Sequence, residues 1–330
     1  MSDVTRRTTI LGATALAFSA PFVRSSRAAV PVSFRLDWSI YGSHAPFFLA
    51  LEEKMFEKAG LDVSIGEGQG SATVAKLVGQ GNDPLGFVDF TSMIRAVEQG
   101  IPLVAIQRVV SNVMCVISNA EDPIRSPKEL EGKIVAYGPS ESTGQMMPAL
   151  LQQSNTDANK ISVLNPAFGA KNAMFLQRRV DAIPANVNVQ VAQLEAQGAK
   201  LFYFLFSNFR VEMMNNGIVA NADWLRQNSE AAKAFTRVTA EAHRAAKENP
   251  EKAVDLLIKR LPQQARNKVL LLRQLDLTFP ALDTRATKGK AFGFMADEDW
   301  QSTQELLLKY GNLGKQVAVE KLYTNKFLEA

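Results

Sequence analysis

Strand and helix signals alternate one for one between positions 32 and 106, and that rhythm leaves the chain very few architectures. Val32-Ser33-Phe34-Arg35-Leu36 switches between apolar and polar at period two, as a half-buried strand does. Over 44–59 the apolar residues Phe47, Phe48, Leu51, Met55 and Phe56 recur at helical spacing, and Gly60 supplies a stop. Residues 61–65 read as the next strand, and Ser71–Gly79 as a helix with Ser71 as its N-cap. A strand over 85–88, a helix over 91–99 closed by Gly100, and a strand over 103–106 complete the series. Short links between such units favour a parallel sheet covered by helices on both faces.

A second α/β unit follows. Strands are predicted at 133–137, 162–164, 181–184 and 201–204, with helices at 142–153, 171–179 and 189–197 between them. From position 221 the chain turns mostly helical, with amphipathic segments at 222–225, 231–247, 250–261 and 298–310. In open parallel sheets ligands bind beyond the carboxyl ends of the strands. Two such sheets facing each other make a cleft. Its walls are then the segments 37–44, 67–71, 89–92, 138–143 and 184–188.

Those segments carry the candidate ligand-binding residues. Asp37-Trp38 ends the first strand, and Tyr41 and His44 lead into the first helix. Trp38 and Tyr41 either sandwich a planar ligand or pack as a hydrophobic plug. Asp37 either meets an amino group or caps a turn, and His44 either donates to a ligand or caps a helix. Asp89 and Thr91 follow the third strand, where Asp89 caps the next helix or accepts from a ligand amine. Ser140, Ser142 and Thr143 sit where a strand meets a helix start, an arrangement that serves an anion or carbonyl as readily as an N-cap. Glu141 in the same loop argues against a strongly anionic ligand. Asn186 and Asn188 offer amides to a heterocycle edge, or serve as turn residues.

Composition narrows the chemistry. Cys115 is the only cysteine, lies in an apolar run, and reads as a small core residue on a strand. Only His44 and His243 are histidines, so no zinc-type constellation is available. No nucleophile elbow, phosphate-binding loop or metalloprotease motif occurs. A binder is expected, with no catalytic residue, metal or cofactor. Residues 1–28 hold Arg6-Arg7, a short apolar run and Ser26-Arg27-Ala28, which predicts a cleaved export signal similar to the twin-arginine type. Without Arg6, Arg7, Arg24, Arg27 and Asp3, the formal charge of +4 drops to +1. Nothing in that balance calls for nucleic acid.

Phe34-Arg35-Leu36-Asp37-Trp38, His44-Ala45-Pro46-Phe47-Phe48-Leu49-Ala50 and Phe56–Val63 resemble the opening of a group of periplasmic binding proteins. The group takes thiamine pyrimidine precursors, nitrate, sulfonates and taurine. Trp300-Gln301, 306–311 and Tyr323-Thr324-Asn325-Lys326-Phe327-Leu328 are similar to its ending. The resemblance implies an α/β, two-lobed type II periplasmic binding protein fold, each lobe a mainly parallel sheet flanked by helices. It places lobe 1 at 29–114 and 215–330 and lobe 2 at 115–214. It also implies a monomer that serves the permease and ATPase of an ABC importer and meets the membrane only through the permease. Asp37, Trp38 and His44 match the thiamine-precursor branch, although Ser39-Ile40-Tyr41-Gly42-Ser43 departs from its usual link. A small planar aromatic heterocycle, pyrimidine-like, is therefore the expected ligand. The alternatives are an aliphatic sulfonate, taurine or nitrate, or another aromatic such as a flavin or aromatic acid. Fungal pyrimidine synthases share the first motif but use a cysteine-rich segment that is missing here.

Overall fold

The computed structural model describes Met1 and residues 29–138, 141–166 and 170–328; the leader and Ser140 lie outside the described residues. Ten strands build two five-stranded sheets. The first contains β1 (Val30–Arg35), β2 (Leu61–Gly66), β3 (Leu85–Asp89) and β4 (Leu103–Arg108), joined by β10 (Asn216–Asn221). The second contains β5 (Met114–Asn119), β6 (Ile134–Ala136), β7 (Ser162–Leu164), β8 (Ala182–Asn186) and β9 (Leu201–Leu205). Their orders are β2-β1-β3-β10-β4 and β7-β6-β8-β5-β9. Both are α/β layers with flanking helices, and in each only one strand runs against the rest: β10 in the first, β5 in the second.

Those two reversed strands directly follow the points where the chain changes sheets. It leaves the first sheet after β4 and returns through β10, so each sheet receives one strand from across the divide. The two crossings lie side by side. Ser111 pairs with Met214, and the N–H groups of Val109 and Val110 both reach the Asn216 carbonyl at 2.9 and 2.8 Å. The Asn215 side chain accepts from the Val113 N–H at 3.3 Å, which ties the same strands from the other side.

Local sequence explains the pieces. Val32 and Phe34 alternate inward along β1, as the period predicts. β5 is buried at all six positions, and Cys115 lies in it without exposure. β10 is missing from the sequence reading because Gly217-Ile218-Val219-Ala220 is buried on both faces and shows no alternation. Gly217 is required there: a Cβ would stand 2.2 Å from the Phe90 ring and 2.4 Å from the Gln107 carbonyl. The long helix Ser229–Glu248 buries Ala231, Phe235, Val238, Ala242 and Ala246 on one face. Phe34 meets Phe47 and Phe235 edge-on at 4.9 and 5.1 Å to form the centre of that core.

One predicted cap differs. Gly70 is the N-cap of the helix Ser71–Gly79, and the Ser71 hydroxyl instead accepts the Asp89 N–H at 3.0 Å. No helix among the described residues is long and apolar enough to cross a membrane.

Candidate ligand-binding cleft

The topology gathers the polar strand ends at one edge of each sheet. Because β10 is antiparallel to β3, its first residue, Asn216, sits beside the last residue of β3, Asp89. In the second sheet the reversed β5 starts beside Asn186, the last residue of β8. Asp37-Trp38 follows β1 at the same edge. The facing edges enclose two adjoining chambers of about 400 and 460 Å3, with Asp37, Trp38, Gly70, Ser71, Asn186 and Asn216 lining both.

Asp37 is the organising residue. Its Oδ1 accepts from His44 Nε2 at 2.9 Å, and its Oδ2 accepts from Asn216 Nδ2 at 2.9 Å and the Tyr41 hydroxyl at 3.2 Å. His44 Nδ1 accepts the Tyr41 N–H at 3.4 Å, which assigns its proton to Nε2. His44 is fully buried against Phe87 and lines neither chamber, so it acts on the cleft only through Asp37. Burial, reinforced by the Asp37 carboxylate, raises the Tyr41 phenol well above its ordinary pKa. The hydroxyl therefore stays a donor.

Trp38 is 47% exposed, a large apolar surface left open at the junction of the chambers. Its loop is strapped in place. The Gly70 N–H donates to the Asp37 carbonyl at 2.8 Å, and the Gly68 N–H to the Trp38 carbonyl at 3.2 Å. Gly70 adopts φ +107°, and a Cβ there would lie 3.6 Å from the Trp38 ring.

The first chamber is walled by apolar side chains and amides. Leu270 and Leu271 come from the helix Lys268–Thr278, which the sequence reading did not place, as does Gln274. Gln274 Oε1 accepts the Gly42 N–H at 2.9 Å, and Gln190 Oε1 accepts the Asn186 N–H at 2.9 Å. Asn188 Nδ2 crosses between lobes to Ser43 Oγ at 3.1 Å. The Oδ1 atoms of Asn186 and Asn188 are both buried without a hydrogen-bond partner. Such acceptors are rare enough in folded proteins to need a partner. No lysine, arginine or histidine lines this chamber.

The second chamber is different. Asp89 caps the helix Phe90–Glu98 by accepting the N–H groups of Thr91 and Ser92, as one of its two predicted readings has it. Burial raises its carboxyl pKa, an effect opposed by those hydrogen bonds. Thr91 and Ser142 line this chamber; Thr143 is buried and lines neither. Arg95 spans the lobes, donating to Gln145 Oε1 at 2.9 Å and to the Gly311 carbonyl at 2.8 Å. The argument drawn from Glu141 needs correction. Its carboxylate is paired with the buried Lys171, which also holds the Pro184 carbonyl at 2.8 Å, so it sets no negative field in the cleft. A bidentate pair from Arg273 to Glu195, at 2.7 and 3.0 Å, joins the lobes on the opposite flank. Among the described residues no group of three or more His, Cys, Asp or Glu is placed to hold a metal ion.

Relatives fit this architecture. The chain is 22% identical to a formylaminopyrimidine-binding protein of Halalkalibacterium halodurans over 89% of each chain. It is 24% identical to the riboflavin-binding protein RibY of Chloroflexus aurantiacus, over 72% of this chain and 68% of that one. The periplasmic aliphatic sulphonate binding protein SsuA from Escherichia coli has the same fold, with a TM-score of 0.70 at 16% identity over 90% of this chain and 99% of that one. The model of the NMT1/THI5 like family matches residues 42–253, well over half of the sequence, and the chain belongs to that family.

Proposed function

We propose that this protein is the extracytoplasmic solute-binding component of an ABC importer. In this reading it captures a small planar aromatic heterocycle, pyrimidine-like, between its lobes and delivers it to the permease. The observation that carries this reading is the makeup of the first chamber. A half-exposed indole stands at its mouth, amides line its wall, and no cationic side chain is present. A flat ring with hydrogen-bonding edges satisfies all three features, with the orphaned carbonyls of Asn186 and Asn188 suited to ring amines. A sulfonate or nitrate ion would enter a chamber with no positive partner. The printed names of two relatives, formylaminopyrimidine and riboflavin binders, are those of flat nitrogen heterocycles.

Mechanistically, a ligand between the lobes stabilises their closed arrangement by as much as it prefers that arrangement over the open one. The paired crossings at 109–113 and 213–216 are the natural hinge, which divides the lobes into 29–114 with 215–330, and 115–214. The loaded form is then what the permease and its ATPase accept. Residues 1–28 route the chain to the periplasm by the twin-arginine pathway, and it works as a monomer without catalysis.

Thermal-shift screening of the processed chain tests the proposal. The panel is pyrimidines, flavins, aromatic acids, taurine and nitrate. A ligand at a hundred times its Kd stabilises by about 2.7 kcal/mol. A shift with a ring compound is the expected result. A shift with taurine or nitrate alone would overturn it.

A further inference from the structure

The cleft has two chambers, and a bare ring uses one. Each alone exceeds the ~300 Å3 at the low end of small-molecule sites. They meet at Trp38 and differ in chemistry. The first has an apolar wall from Leu270 and Leu271. The second is lined by the hydroxyls of Ser71, Thr91, Ser92 and Ser142, with only Trp38 and Ala72 as apolar lining.

Charge in the second chamber is balanced. Asp89 and Arg95 both line it, and each feels the other's field. Both are already engaged: Asp89 by the Thr91 and Ser92 N–H groups, Arg95 by Gly311 and Gln145. An anionic substituent would meet Asp89 and the nearby Asp37, and a cationic one would meet Arg95. Hydroxyl groups, which donate and accept at one atom, suit a wall made of hydroxyls and amides.

We infer that the ligand is an aromatic heterocycle bearing an uncharged, hydroxylated substituent, of polyol or sugar type. Its ring lies against Trp38 in the first chamber and its substituent fills the second. This inference rests on the reading of the first chamber as a ring site and adds the chemistry of what the ring carries.

Calorimetric titration with matched probes tests it. Riboflavin is compared with lumiflavin, which keeps the ring but replaces the polyol chain with a methyl group. Cytidine is compared with 1-methylcytosine in the same way. In at least one pair the hydroxylated member should bind tenfold or more tightly, as one to two added hydrogen bonds give. Ser92→Ala with Ser142→Ala should erase that advantage while leaving the plain ring's affinity unchanged. Equal affinity within both pairs would overturn the inference and leave the ring reading standing. An advantage untouched by the double variant would also overturn it, because the substituent would then lie elsewhere. Binding of taurine or nitrate with none of the four ring probes would overturn both readings.

Discussion

Removing the Asp37 carboxylate gives the sharpest structural prediction. Asp37→Ala leaves three donors without an acceptor: His44 Nε2, Asn216 Nδ2 and the Tyr41 hydroxyl. His44 is fully buried, so its N–H has no route to water and costs the full penalty of about 1–3 kcal/mol. Asn216 and Tyr41 line the cleft and can find solvent, at about 0.5 kcal/mol each. The sum is about 3 kcal/mol, or roughly 6 °C in melting temperature for a chain of this size. Asp37→Asn keeps one acceptor oxygen and should lose about 1 kcal/mol. Urea denaturation of wild type, Asp37→Ala, His44→Ala and the double variant closes a mutant cycle. A coupling energy of about 1 kcal/mol or more is expected, because losing the imidazole removes the stranded donor. A stable Asp37→Ala variant, or strictly additive losses, would refute the role of Asp37 as the hub of this wall.

Two further outcomes follow from backbone and burial. Gly70→Ala places an L-residue at φ +107° and a methyl group against Trp38, so stability should fall by about 2 kcal/mol and ligand affinity with it; an unchanged melting curve would contradict this. His243 donates Nδ1–H to the Thr239 carbonyl at 2.8 Å, while its buried Nε2 has no partner. Burial pushes its pKa down to about 4, so in the acid range the unfolded chain binds more protons at this site than the folded one. The contribution is fully present above the unfolded value of about 6.5 and is lost as pH falls to 4, roughly 3 kcal/mol at most. Stability measured from pH 7 to pH 4 should fall more steeply for wild type than for His243→Asn, and parallel profiles would contradict the assignment.

How much was legible in the sequence depended on whether a segment's signal was local. β1 to β3 show themselves by period and punctuation, and Asp37 and Trp38 follow from their place at a strand end. β10 was hidden because burial on both faces removes the alternation that marks a strand. The helix Lys268–Thr278 was hidden for another reason. Its buried face includes Gln274 and Thr278, which break the apolar stripe because they face the cleft and the Ser43 hydroxyl. Glu141 was misjudged because Lys171, its neutralising partner, lies thirty positions away and reaches it only through the fold. His44 was read as a possible ligand contact, yet it supports Asp37 from behind. Sequence spacing brings both residues to the same corner without telling which one faces the cleft.

The central claim is that a planar ring is held against Trp38, and one comparison tests it most directly. Calorimetric titration of wild type and Trp38→Ala should use the ring compound that gives the largest thermal shift. Because the indole is 47% exposed, the variant should melt close to wild type. Lost stacking and apolar contact should weaken binding by about 1.5–3 kcal/mol, more than tenfold in Kd. Unchanged affinity in the folded variant would show that the ligand does not sit on Trp38 and would contradict the account.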